Sequence, residues 1–521
     1  MALFLSLDVV VVVGIALAAV WLYYRVNWIR AVNRLPRRTE KKKFWIADLE
    51  IWHAPCVPGT SQPDVLPLLK RFAAKLTEGG DGLGVLWLFN PSYLPFARPL
   101  VLLWDPELIR EMLEPRNYGK FNKGSFYTVA EPLFGQGVQS ANDGPVWTCQ
   151  RHLAQQGFCP KVLHDIVPVA KAALDHLFVT WDELAAKQES VPVQGDMRRL
   201  ALDVFGKAAL DFDVGALDAA GKPSLCAALD CALEVFDKLG RASPFLWWHL
   251  GGPHYNNSLA EVDALARDIV QKSEASAPKG RFPSLLGHLT WSIVGPQGRD
   301  PVLGPKLVLD NVKTFLLAGH DTTASSLAWA LWLLAGHRDA QGRLQQEVDD
   351  FFKAAEASGE AVSPEALRKL EFLDAVIKET LRLYPAMAVA RAPASDMELG
   401  PSSRSGGRAY VVPRGCDVLV LPSLVHRDPA SWPQPDAFMP DRWLEKGAVR
   451  PCAFLPFGFG RRSCIGQEFA LTELRIVLAS IVRRYQLRSD ADSPEPRPVL
   501  RFSTSPSPFS LRLERRAAQK A

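Results

Sequence analysis

The stretch FLPFGFGRRSCIGQEFA, residues 454–470, constrains this chain more than any other. Glycines at 458, 460 and 466 surround Cys464, and Arg461 and Arg462 precede it. Glycine accepts positive φ, so Phe457 to Gly460 can close a tight turn. Beyond it, Leu471, Leu474, Val477, Leu478, Ile481 and Val482 repeat at three- and four-residue steps, the buried stripe of a helix. The fold must therefore hold a cysteine where a turn becomes a helix. A thiol there faces free backbone N–H groups and the positive helix end, both of which lower its pKa. Gly466 leaves room for something flat to lie close against the backbone.

Such a cysteine reads as an inert core thiol, a zinc ligand, a nucleophile or a haem ligand. The chain has eight cysteines in 521 residues and no C-x-x-C pair, so neither a disulfide framework nor a paired-knuckle zinc site is expected. A net charge of +4, with no basic run interleaved with aromatics in the body of the chain, argues against nucleic acid as a partner.

The N-terminus, residues 2–24, is apolar with one charge, Asp8, and is long enough to cross a hydrocarbon core as a helix. Trp21, Tyr23 and Tyr24 suit the interface, and Arg25, Arg30, Arg34, Arg37, Arg38 and Lys41 to Lys43 follow. By the positive-inside rule the rest of the chain stays cytoplasmic. A cleaved signal peptide is the rival, since Ala16-Leu17-Ala18 fits a small-x-small site, but no positive charge precedes the run. The expected organisation is an anchor over 1–24, a basic proline-containing linker over 25–60 and one domain over 61–521.

Within that domain helical patterns dominate, with short strand-like pieces at 84–89, 98–104, 409–422 and 509–514 and a loop-like proline-rich tail at 492–508. The expectation is a mainly α fold with small β-sheets. Two further helices are placed at 306–335 and 364–383, the latter stopped by Pro385. On the first, Phe315, Ala318, Gly319 and Thr322 share a face. On the second, Glu379 and Arg382 do, and Trp147 and Arg151 stack similarly four residues apart.

The spacing Phe457-x-x-Gly460-x-Arg462-x-Cys464-x-Gly466 resembles the haem-binding signature of the cytochrome P-450 superfamily. The resemblance extends through Ala318–Thr323 (AGHDTT), Glu379-x-x-Arg382, Asp441-Arg442-Trp443 and Trp147-x-x-x-Arg151, in the family's order. It implies a prism-shaped fold with haem b between the long oxygen-activation helix and the cysteine-bearing helix. It implies Cys464 as the axial thiolate on iron, Phe457 near the sulfur, and Arg462, Trp147, Arg151 and Arg391 at the propionates. Ala318 and Gly319 would border the O₂ site, and Thr322 with Asp321 would deliver protons. Glu379, Arg382 and Arg442 would form a buried structural triad, although the family usually has Phe where Trp443 stands. His320 is read as pointing away from the haem.

The implied activity is a monooxygenase on the endoplasmic reticulum membrane, taking NADPH-derived electrons from a reductase, with cytochrome b5 as a further partner. The substrate contacts expected by position are the loop 120–145, the apolar stretch 243–250 (whose Trp247 and Trp248 alternatively meet the membrane surface), Phe315, Ala318, 386–390 and 503–509. They suit a medium-sized apolar molecule, aromatic or polyketide-like, of secondary metabolism. The branch resembled also holds fatty-acid hydroxylases. The alternatives are a fatty-acid or xenobiotic hydroxylase, an isomerase or dehydratase needing no O₂, and a non-catalytic haem binder.

Overall fold

The computed structural model describes residues 85–88, 100–218, 227–233, 253–276, 285–288, 304–403, 409–445, 447, 449–500 and 503–516. The expected anchor, the linker and residues 243–250 lie outside the described residues. Among the described residues no helix is long and apolar enough to cross a membrane.

The helices are α1 (Pro106–Leu113), α2 (Ser125–Phe134), α3 (Pro145–Gly157), α4 (Pro160–Ala186), α5 (Val193–Leu210), α6 (Pro253–Ser276), α7 (Pro305–Gly336), α8 (Arg338–Ser358), α9 (Glu371–Leu383) and α10 (Gln467–Arg484). The fold is mainly α, as the sequence leads one to expect. At 32 residues α7 is roughly 48 Å long. It starts with Pro305 after Gly304, a position where the missing N–H costs nothing. It is buried on nearly every side: apolar residues predominate, and buried polar ones such as Asp310, Asn311, His320 and Asp321 find hydrogen-bond or ion-pair partners. The main core gathers α4, α5, α7, α9 and α10, with Trp181 and Tyr485 fully enclosed.

Strands β1 (Val85–Leu88), β2 (Leu100–Leu103), β3 (Phe121–Asn122), β5 (Val389–Pro393) and β8 (Asp417–Val420) form one sheet in the order β1-β2-β8-β5-β3. Its β2–β8 pair is parallel, with Val101 opposite Val418. A smaller core of these strands and α1 sits beside the main one. Strands β4 (Ser190–Val191), β12 (Leu511–Arg515) and β9 (Tyr485–Ser489) make a second sheet, while β6 (Met397–Leu399) pairs with β7 (Tyr410–Val412).

Three local expectations are corrected. Residues 364–383 do not form one helix: a short turn over Pro364–Leu367 ends before α9 begins at Glu371. Ser363 caps the turn, and the Glu347 carboxylate accepts from the backbone N–H groups of Phe372 (2.8 Å) and Leu373 (2.9 Å), giving α9 a start of its own. The proline-rich tail holds a hairpin, β10 (Pro498–Leu500) with β11 (Thr504–Pro506), whose prolines pair with each other at its open end. Residues 120–145 contain α2.

Candidate active site

The turn before α10 builds the site. Gly458 and Gly460 both take φ of +71°, and a Cβ on Gly460 would lie 2.2 Å from the Leu113 carbonyl oxygen. Both facts exclude any other residue at 460. The turn closes with the Cys464 N–H donating to the Phe457 carbonyl at 2.7 Å. Gly466 is different: its φ is −92° and a Cβ there would meet the Phe158 ring at an ordinary 3.6 Å. The protein's own packing does not call for a glycine at that position.

Cys464, Phe457, Arg462 and Gly466 line a cavity of about 210 Å³ whose opposite wall is α7, through Phe315, Ala318, Gly319 and Thr322. Trp147, Arg151 and Arg391 line it too. Cys464 is accessible from the cavity yet densely surrounded by protein. Burial pushes its pKa up, against the pull of the Gly466 N–H and the Arg151 charge. The expectation that the N–H groups and helix end lower it is therefore corrected: α10 begins only at Gln467, and desolvation dominates.

One side of the cavity is cationic. Arg462 stacks on the Trp147 ring at 3.8 Å, donates to Asp143 Oδ1 from Nε at 2.6 Å and reaches the carbonyls of Ala141 (2.8 Å) and Val138 (3.3 Å). Trp147 Nε1 donates to the same Val138 carbonyl at 3.1 Å. Arg151 donates to the Ser463 carbonyl at 2.7 Å, within electrostatic reach of Cys464. Arg391 is buried on β5. Lys123, which sequence reasoning assigned only to a general substrate stretch, joins this wall. Its pKa is held well below the usual lysine range by burial, then by repulsion from Arg391 and Arg462. Burial likewise brings Arg462 down to about 10, with Asp143 opposing.

On α7 the adjacent pair Asp321 and Thr322 diverges. Thr322 lines the cavity, its hydroxyl donating to the Ala318 carbonyl at 2.8 Å. Asp321 turns away, to Arg198 on α5 at 3.2 Å and to the Ser503 hydroxyl. Arg198 also binds Asp230 at 2.7 Å. Neither Arg198 nor Ser503 carries a local sequence signal for this role; Ser503 fell in a stretch read as a substrate contact. A Cβ on Gly319 would lie 2.4 Å from the Phe205 ring, so close packing of α5 on α7 itself demands this glycine. His320 Nδ1 donates to the Leu316 carbonyl (2.6 Å), and the ring is buried and does not line the cavity.

Behind the cysteine turn, Glu379 and Arg382 are both wholly buried and paired twice at 2.8 Å. Arg442 joins Glu379 at 3.0 Å, and the Met439 N–H and Trp443 Nε1 each donate to it at 2.9 Å. Arg382 also donates to the carbonyls of His426, Pro435 and Ala437. His426 accepts from the Leu455 N–H at 2.9 Å, tying this network to the start of the turn.

The family model for cytochrome P450 matches residues 92–513. Cytochrome P450 4V2 of Homo sapiens is 27% identical over 415 residues, covering 75% of this chain and 75% of that protein. Cytochrome P450 734A2 of Oryza sativa subsp. japonica is 30% identical over 437 residues, covering 78% of this chain and 73% of that protein. The crystal structure of the cytochrome P450DA heme domain matches with a TM-score of 0.72 at 25% identity, covering 89% of this chain and 97% of that one. The family match runs through the cysteine turn, the cationic wall and the helix opposite, and the chain belongs to the cytochrome P450 family of monooxygenases.

Proposed function

We propose that Cys464 is the axial thiolate of a haem-dependent monooxygenase that inserts one atom of O₂ into a C–H bond of an apolar small molecule. One observation carries the reading: the cysteine opens onto a cavity whose flank brings Lys123, Arg151, Arg391 and Arg462 together with the carboxylate of Asp143. Those buried and half-buried cations crowd one cavity flank and need anions. Two propionates offset most of the charge that Asp143 leaves over, and the thiolate would balance the ferric porphyrin core, so the residues suit haem b. Arg462, Arg391 and Lys123, with Trp147 under Arg462, would hold the propionates, while Phe457 and Gly466 border the macrocycle and Arg151 steadies the sulfur. Haem bound through a thiolate supplies the activation of O₂. Thr322, on the facing wall, offers its oxygen lone pairs to the cavity and handles protons there. Asp321 reaches that position only by leaving Arg198 and Ser503.

Phe315, Ala318, Ala386, Met387 and Val389 make the wall near Thr322 apolar, which favours an apolar substrate over a polar one; secondary metabolism is the proposed setting. Fatty-acid and xenobiotic hydroxylation remain within the same chemistry. An O₂-independent isomerase or dehydratase would turn over without NADPH. Electrons come from NADPH through a reductase, with cytochrome b5 as a second donor, and residues 1–24 anchor the 61–521 domain to the endoplasmic reticulum membrane after the 25–60 linker. Deleting 1–24 should then release the protein from membranes without changing its spectrum.

The deciding measurement is the absorption of the reduced protein with carbon monoxide. The long-wavelength band of thiolate ligation is expected, and Cys464→Ser should lose it while keeping its far-ultraviolet circular dichroism. A band that survives in Cys464→Ser, or folded protein that takes up no porphyrin, would sink the reading.

A further inference from the structure

The cationic wall is not held by its own elements alone. The segment between α2 and α3 carries the carbonyls of Val138 and Ala141 and the carboxylate of Asp143, all of which grip Arg462. Its Asn142 Oδ1 also accepts the backbone N–H of Lys123 at 3.1 Å. Arg462 directly, and Lys123 through its backbone, thus depend on where this segment lies, and the segment is fastened to α7 just before the cavity-lining Thr314. Asn311 Oδ1 accepts the Val138 N–H at 2.9 Å, while its Nδ2 donates to Gln150 Oε1 and to the Leu307 carbonyl, each at 2.8 Å. Gln150 in turn donates to the Gln136 carbonyl at 3.2 Å, and Asp310 accepts the Gln136 N–H at 3.0 Å. Asn311 and Gln150 are essentially inaccessible to solvent.

The backbone is fitted to this clamp. Gly135, with φ of +53°, lies so close that a Cβ would sit 2.1 Å from the Asp310 carboxyl carbon. A Cβ on Gly137 would lie 2.3 Å from Thr314 Oγ1 and 2.8 Å from the Asp310 carbonyl oxygen. Room exists for the segment only in contact with α7.

We propose that Asn311 is a positioning residue for propionate binding: through the Val138 amide it fixes the segment that orients Arg462 and Lys123 from across the cavity. This rests on the reading of Arg462 as a propionate ligand. A buried amide that uses both donors and its oxygen cannot be replaced without leaving partners unpaired. Asn311→Ala therefore releases the Val138 N–H and lets Arg462 lose its register, although Asn311 lies outside the cavity lining.

The test is the rate at which holoprotein loses haem to an excess of apomyoglobin, measured for the wild type, Asn311→Ala, Arg462→Ala, the double variant and Leu331→Ala. The last truncates a buried residue of α7 further from the cavity and controls for general destabilisation. Asn311→Ala should lose haem about tenfold faster or more, as for an unpaired buried hydrogen-bonding group. Leu331→Ala at matched thermal stability should not. In the double variant the Asn311 effect should largely vanish, because it acts through Arg462. Additive effects, or a rate for Asn311→Ala no different from Leu331→Ala, overturn the proposal. If Arg462→Ala itself leaves haem loss unchanged, the propionate reading fails instead. Should Asn311→Ala not fold, Gly137→Ala pushes the segment off α7 by contact alone and should accelerate haem loss in the same sense; no acceleration overturns the clamp.

Discussion

Thr322 and His426 show how single residues divide the work. The Thr322 hydroxyl proton is engaged by the Ala318 carbonyl, so the group meets the cavity as an acceptor within the helix's own hydrogen bonding. Thr322→Ala should uncouple the enzyme: NADPH is still consumed, hydrogen peroxide is released, and product formation falls by roughly 10²-fold, the usual scale for one lost proton-handling group. Peroxide release equal to wild type would remove Thr322 from proton handling. His426 does its work uncharged. Burial lowers its pKa to about 3, and its Nε2 accepts the Leu455 N–H. An unfolded histidine titrates near 6.5, so below that pH the unfolded chain binds a proton that the folded one refuses. Stability therefore falls as pH drops from about 6.5 toward 3. Buried His320 works in the same direction, and Glu473, whose carboxyl burial pushes well above its usual range, works in the opposite one. The comparison that isolates His426 is with His426→Gln, which keeps an acceptor for Leu455. Between pH 7 and pH 5 the wild type should lose about 2 kcal/mol more than that variant. Parallel pH profiles of thermal unfolding would refute it.

At the level of elements, α9 and the distant segment Met439–Trp443 form a unit around Glu379, which gathers two arginines, an indole and a backbone amide. Glu379→Ala leaves Arg382 buried without its carboxylate and should cost about 3–5 kcal/mol, seen as failure to retain haem at ambient temperature. Trp443→Phe removes one donor of several and should cost only about 1 kcal/mol in the unfolding midpoint. A loss as large as that of Glu379→Ala would mean the indole, not the arginines, holds the carboxylate. The triad was legible in the sequence because its members sit in short motifs of fixed spacing. So were α7, whose length and apolarity stand out, and the cysteine turn, where Gly460 and Cys464 appear together. The break before α9 was not legible, because Glu347 makes it from 25 residues upstream on another helix. Lys123 and Asp143 stood out only as part of the stretch 120–145, and Arg198 not at all, for the same reason: their partners are brought together by the tertiary fold, and a lone charge in a loop or on a helix reads as a solvated one. The Asp321 direction is the same lesson reversed, since neighbours in sequence on a helix point about 100° apart.

For the whole molecule, the cationic wall sets stability against cofactor binding. Lys123, Arg151, Arg391 and Arg462 are brought near one another and partly or wholly out of water, and Lys123 bears the repulsion most plainly, its pKa falling through burial and then through all three arginines, with Asp143 opposing. Before haem binds, that repulsion opposes folding; once propionates arrive, the same charges attract them. Lys123→Met keeps much of the side chain's length and removes the charge, so it should act with opposite signs on the two forms. The apoprotein should gain thermal stability, while the holoprotein loses haem several-fold faster, as for the loss of one charge-assisted contact. Rising salt should narrow both differences only weakly, since the group is buried and poorly screened. Differential scanning of apo and holo forms, beside haem-transfer rates, reads both signs in one series. If Lys123→Met destabilises both forms alike, the lysine is a packing residue and the wall binds its anion through the arginines alone.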